Sequence, residues 1–199
     1  MRSRPHRRTS PLRVIAGRYR SRPLRSLRGR DIRPTSDRLR ETLFNVLTPG
    51  NPAALEGSLW VDLYAGTGAV GIEALSRGAA KVYFVESAPA AAQLIRDNLS
   101  SLGITTGFDL VENDVLRALN RLAAAICSAD FLFLDPPYRN DQAYYAALAA
   151  LSKSSLVNGA TVVIAEHEKR FDPGEDFSPL RRYRKLVQGD AALSFYRRC

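Results

Sequence analysis

The sequence predicts an α/β fold, a mostly parallel sheet with helices on both faces and an N-terminal hairpin extension. Three observations predict it. Short apolar runs alternate with alanine- and leucine-rich segments of helical length. A glycine loop, DLYAGTGAVG (62–71), joins the first of those runs to the first such segment. The last two runs meet at Gly189 and Asp190, a two-residue hairpin signal that predicts an antiparallel edge.

Taken in order, residues 1–11 (MRSRPHRRTSP) are basic and polar without periodicity, a composition that does not fold in isolation. From Leu12, LRVIAGRYRSRPLRSL reads as two short strands about a glycine turn, followed by the polar turn RGRDIRPTSD. Thr35 or Ser36 is placed to cap a helix from Asp37 to Leu47, with Leu39, Leu43, Phe44 and Leu47 on one face; Pro49, Gly50 and Pro52 end it. Seven strands follow: LWVDLY (59–64), KVYFVE (81–86), FDLVEN (108–113), DFLFLD (130–135), TVVIAE (161–166), RRYRKLVQ (181–188) and AALSFYRR (191–198). Segments such as AVGIEALSRG and APAAAQLIRDNLSSLG supply the helices between them. The chain thus divides into a basic tail (1–11), a basic hairpin and helix (12–50) and an α/β domain (51–199).

A length of 199 residues suits one domain with an appendage, and 45% hydrophobic with 25% charged residues excludes wholesale disorder. No apolar run approaches the ~18 residues of a membrane span, and the basic N-terminus has no following apolar region, so a cytoplasmic protein is expected. Cys127 and Cys199 match neither a redox pair nor a zinc framework; a buried thiol and a tail thiol are expected, and no metal. The net charge of +9 is unevenly spread. Residues 1–40 hold 14 of the 29 Lys and Arg against two acids, Asp31 and Asp37, a net +12; the remaining 159 residues sum to −3. A basic arm on a slightly acidic body suits a polyanion, and Arg13, Arg18, Arg20, Arg22, Arg33 and Arg38 are its candidate phosphate contacts.

Two motifs carry chemistry. In DLYAGTGAVG, Gly66, Gly68 and Gly71 satisfy G-x-G-x-x-G, which permits a tight turn and close approach of backbone to a ligand. Glu86 follows the second strand, twenty residues after Gly66, where an acid accepts from both hydroxyls of a ribose. Asp62, Tyr64 and Ala65 complete the loop, and Asn113 and Asp114 follow the third strand, where a side chain can read an adenine amine. This much fits NAD as well as S-adenosylmethionine. The second motif is DPPY, Asp135, Pro136, Pro137 and Tyr138, at the carboxyl end of the fourth strand, the edge where open α/β sheets bind ligands. Two prolines fix a loop whose carbonyls and the Asp135 carboxylate are all acceptors. An exocyclic amine on a base supplies the matching donors, and Tyr138 can stack on the base.

Together, DLYAGTGAVG, Glu86 and DPPY resemble the class I S-adenosylmethionine methyltransferases that methylate amines. RPTSDRLRETLFNVL (33–47) followed by DLYAGTGAVGIEALSRGA closely resembles the RsmD-type 16S rRNA guanine-N2 methyltransferases. The resemblance implies a Rossmann-like, seven-stranded sheet of order 3-2-1-4-5-7-6, with S-adenosylmethionine as cofactor and one guanine of 16S rRNA as substrate, in naked RNA or within a partly assembled small subunit, and a monomer. It implies that Asp62, Gly66 and Gly68 form the cofactor loop, Glu86 the ribose acid, Asp114 the adenine contact, and Asp135 to Tyr138 the catalytic loop. Tyr64 stands where many relatives have phenylalanine.

Three alternatives remain open on the residues. A DNA methyltransferase of adenine N6 or cytosine N4 would use the same motifs, whereas cytosine C5 chemistry needs a cysteine that the proline loop lacks. An NAD-dependent oxidoreductase leaves DPPY and the arm unexplained. A non-catalytic RNA-binding assembly factor leaves the cofactor loop without purpose.

Overall fold

A computed structural model describes residues 12–26, 36–137 and 140–199. Helix α1 (Asp37–Leu47) begins where capping chemistry predicts: Ser36 Oγ accepts the N–H of Leu39 at 3.2 Å. After a 3-10 turn at Pro52–Leu55, β1 (Leu59–Leu63), α2 (Ala69–Ser76), β2 (Lys81–Val85), α3 (Pro89–Ser101), β3 (Phe108–Val111), α4 (Val115–Ala125), β4 (Phe131–Leu134), α5 (Asp141–Lys153) and β5 (Val162–Glu168) alternate. The chain closes with β6 (Asp176–Phe177), β7 (Leu180–Gln188) and β8 (Ala191–Arg198).

The sheet order is β3-β2-β1-β4-β5-β8-β7-β6, parallel through β5 and antiparallel beyond it. With β6 set aside, this is the expected order of seven. The eighth strand is two residues paired with Leu180 and Arg181, too short to show any periodicity in sequence.

Side-chain alternation assigns each strand residue to one of two layers. Trp60, Phe84, Phe133, Ile164 and Phe195 face α1, α2, α3 and the arm residues Leu12, Val14 and Leu24. Val61, Leu63, Leu132, Leu134, Val163 and Ala165 face α4 and α5. Asp62 lies between Val61 and Leu63, so it shares the first layer with Trp60.

Residues 12–26 reverse direction but do not form the expected pair of strands; a single antiparallel bridge, Arg13 with Pro23, joins them. Two causes are visible. Pro23 has no N–H to continue a ladder. The N–H groups of Ile15 and Ala16 go instead to the carboxylate of Glu73 (2.7 and 3.0 Å), and that of Tyr19 to Ser76 Oγ (2.9 Å). The arm is therefore bonded to α2 as well as to itself, where the N–H groups of Val14, Ser21 and Leu24 bond the carbonyls of Arg22, Val14 and Leu12.

Cys127 is a second departure. Expected as a buried thiol, it is exposed, because it lies in the loop after α4 and outside both layers; Cys199 is exposed as well. Among the described residues, no helix is long and apolar enough to cross a membrane.

Candidate active site at the carboxyl edge of the sheet

β1 ends in the glycine loop, and the turn demands unusual backbone. Tyr64 has φ +60° and Gly66 φ +55°, the left-handed region where glycine carries no side-chain penalty. At Gly71 the constraint is space: a Cβ there would meet Phe84 Cε1 at 2.3 Å, so its absence lets α2 lie directly on β2. Asp62 Oδ2 accepts the Gly71 N–H at 2.9 Å and ties helix to strand. Burial, with the charge of Glu86 adding to it, pushes the Asp62 carboxyl up to about 8.

Glu86 stands just beyond β2. Its Oε2 accepts the N–H of Gly66 (2.9 Å) and its Oε1 that of Ala88 (2.8 Å). Each oxygen keeps a lone pair for a further donor. Past β3, Asp114 caps α4 by accepting the N–H of Leu116 at 2.9 Å, while Asn113 Oδ1 accepts the N–H of Asp114 at 2.9 Å. Asp114 reaches the central cleft, and Asn113 is not among the residues that line it.

The DPPY loop leaves β4 beside these groups. Tyr144, buried on α5, donates its hydroxyl to the carbonyl of Pro136 at 3.3 Å, and the N–H of Asn140 bonds the carbonyl of Pro137 at 2.9 Å. Asp135 is half-buried, and its carboxyl is raised well above the usual range by burial first, then by Glu166 and Asp62. Tyr138 lies outside the described residues.

These elements enclose one cleft of about 650 Å³, in the range of sites for nucleoside-sized ligands. Asp62, Tyr64, Ala65, Gly66, Glu86, Asp114, Asp135, Pro136 and Pro137 all line it; Gly68 lies behind, capping α2. The lining fits S-adenosylmethionine: an acceptor carboxylate held by loop amides for the ribose, and an apolar wall that includes Ala69, Val70 and Leu116. That wall was not anticipated. Nor was Glu166, although an acid ending the apolar run TVVIAE was a visible signal.

Of the arm residues, Arg13, Arg18, Arg20, Arg22 and Arg38 are exposed, and Arg33 lies outside the described residues. Arg13 Nε pairs with Asp37 at 3.2 Å, and Arg22 bonds the carbonyl of Ser101 at 2.9 Å. Two buried side chains link the arm to the glycine loop. Asn98 donates to the carbonyls of Thr67 (2.9 Å) and Arg25 (3.1 Å). Arg40 donates to the Arg13 carbonyl (2.7 Å) and to Asp37 (2.6 Å), and reaches the Ala69 carbonyl at 3.4 Å.

The family model described as conserved hypothetical protein 95 matches residues 12–197. The chain is 37% identical over 198 residues to ribosomal RNA small subunit methyltransferase D of Escherichia coli K12, covering 94% of this chain and 96% of the relative. It is 34% identical over 158 residues to the protein of that name from Haemophilus influenzae, covering 79% of each. Among solved structures, the Escherichia coli protein yhhF superposes with a TM-score of 0.77 at 28% identity, covering 95% of this chain and 98% of that one. A hypothetical protein of Thermus thermophilus gives the same TM-score and identity, covering 92% and 98%. With the cleft, the strand order and both motifs in place, the chain belongs to the RsmD-type family of class I, Rossmann-like methyltransferases.

Proposed function

We propose that this enzyme transfers a methyl group from S-adenosylmethionine to the exocyclic N2 amine of one guanine in 16S rRNA. One observation carries the reading: Asp135 and Pro136 open into the same cleft as Glu86 and the glycine loop, so an acceptor pair for an amine adjoins a nucleoside site. The relatives named as small-subunit rRNA methyltransferases support the choice of RNA.

S-adenosylmethionine, when bound, supplies an electrophilic methyl. Glu86 and Asp114 hold its nucleoside, with Tyr64 and Ala65 along the loop. Asp135 and the Pro136 carbonyl accept the two amine hydrogens and aim the nitrogen lone pair into the cleft. A carbonyl oxygen has two lone pairs, so the bond from Tyr144 steadies Pro136 without blocking it. Tyr138 stacks on the extruded base. Guanine N2 is a weak nucleophile because its lone pair is delocalised into the ring; acceptors that pull on its N–H bonds favour the pyramidal geometry of the transition state and lower the barrier selectively. Alignment at near-contact distance supplies most of the remaining acceleration. The exposed arginines of the arm hold the rRNA backbone.

The test is transfer of labelled methyl to naked 16S rRNA, to partly assembled small subunits and to duplex DNA, followed by nucleoside analysis. N2-methylguanosine from one RNA substrate is expected. Label in DNA, or on another base, overturns the assignment.

A further inference from the structure

Glu166 plays no part in the reaction as described above, yet the fold sets it beside the transferring loop. In the parallel pairing of β4 with β5, Leu134 lies opposite Ala165, so the next residue on each strand brings Asp135 and Glu166 abreast at the carboxyl edge. Alternation puts both on the layer of Phe133 and Ile164, which also holds Asp62. Glu166 is 2% exposed, within a strand otherwise made of apolar residues and His167 as far as Glu168.

We propose that Glu166 is a positioning residue for methyl transfer, a second carboxylate that strengthens Asp135 as acceptor of the proton leaving the target amine. The inference rests on the amine-methylating reading of the cleft. As the guanine N2 lone pair forms its bond to the methyl carbon, the carbon–sulfur bond breaks and its electrons stay on sulfur. The nitrogen then carries a positive charge and loses one hydrogen as a proton to Asp135, which passes it to water after the product leaves. An isolated carboxylate is a weak base for that step. A second negative charge alongside raises its proton affinity.

The charged and titratable surroundings agree. Asp62 on β1 and Glu166 on β5 both raise the proton affinity of Asp135. Glu86 acts on Asp62 from the end of β2, and Tyr64 faces Asp114 across the cleft. From α5, the Tyr144 hydroxyl donates to the carbonyl of Pro136. On β8, opposite Glu166, stands apolar Leu193. From α1, the fully buried Arg40, bonded to Asp37 and to backbone carbonyls, acts on Glu166.

The experiment compares the parent protein with Glu166→Asp and Glu166→Gln. Single-turnover methyl transfer to the accepted RNA is followed against pH, and the Asp135 carboxyl is titrated in ligand-free protein by infrared difference spectroscopy against Asp135→Asn. In Glu166→Gln, the acid limb of the rate profile and the carboxyl titration should both move to lower pH by about one unit or more. The plateau rate should fall about tenfold. Glu166→Asp keeps the charge one methylene further away and should fall between, which still tests the order if Glu166→Gln does not fold. A rate lowered equally at every pH, or an Asp135 titration that ignores position 166, overturns the role. If the parent protein methylates no RNA while the carboxyl titration still shifts, the pairing stands and the RNA reading fails.

Discussion

Glu86 accepts the backbone N–H of Gly66 at 2.9 Å, so the acid that ends β2 and the turn that follows β1 form one hydrogen-bonded unit. Replacing Glu86 by alanine therefore removes a ligand acceptor and also frees the loop. Cofactor affinity, measured by calorimetry, should fall by ~2 to 4 kcal/mol from the lost charge-assisted bonds. Affinity equal to that of the parent would rule out Glu86 as the ribose acid.

Asp135→Ala should leave cofactor affinity near normal while single-turnover transfer falls ~10² to 10³-fold, because the lost acceptor faces the target amine. Tyr138→Phe should keep most activity and Tyr138→Ala should lose it, since the ring rather than the hydroxyl is proposed to hold the base. Near-parent transfer by Asp135→Ala would dismiss the loop as the transfer site.

The arm predicts a salt dependence. Six phosphate contacts would give a log–log slope of roughly −4 for single-stranded RNA, each contributing about 0.7. Deleting the arm is a poor test, because Leu12, Val14 and Leu24 are part of the core. Replacing Arg18, Arg20 and Arg38 together by alanine should flatten the slope by about 2 and spare cofactor binding. An unchanged slope would show that these three contact no phosphate.

Glu73 is fully buried and accepts from Ile15, Ala16 and Arg77. Glu73→Ala strands three donors and should cost ~3 kcal/mol or more in urea unfolding. A loss below ~1 kcal/mol would mean that water replaces the carboxylate and the arm is held by packing alone.

Asp62 predicts how stability changes with pH. Its carboxyl sits near 8 in the folded chain and, as for any aspartate, near 4 when unfolded, so between those values the folded state holds the extra proton. Stability from this group is full below about pH 4 and is lost as pH rises towards 8. Asp62→Asn keeps an acceptor for Gly71 and should flatten the fall across that window. Parallel stability curves for the two proteins would contradict it.

What the sequence determined by itself is local. Short apolar runs located seven strands to within two residues, Thr35 or Ser36 located the start of α1, and Gly189–Asp190 located the last hairpin, because each signal resides in the preferences of neighbouring residues. DLYAGTGAVG and DPPY were legible as chemistry for the same reason: both are contiguous, and both end strands whose carboxyl edges coincide in a parallel sheet. The tertiary structure decided the partners. Glu73 lies 58 residues from Ile15 and Asn98 lies 73 from Arg25, and nothing local to either acid or amide marks the distant backbone it serves. The same holds for the arm, where the N–H groups of Ile15, Ala16 and Tyr19 bond α2 and leave the two limbs a single bridge, and for Arg40, a helix cation buried by what folds over it. Glu166 reads in sequence as the polar end of an apolar run; strand register sets it beside Asp135, because pairing fixes which residues share an edge and burial turns that proximity into a change in proton affinity.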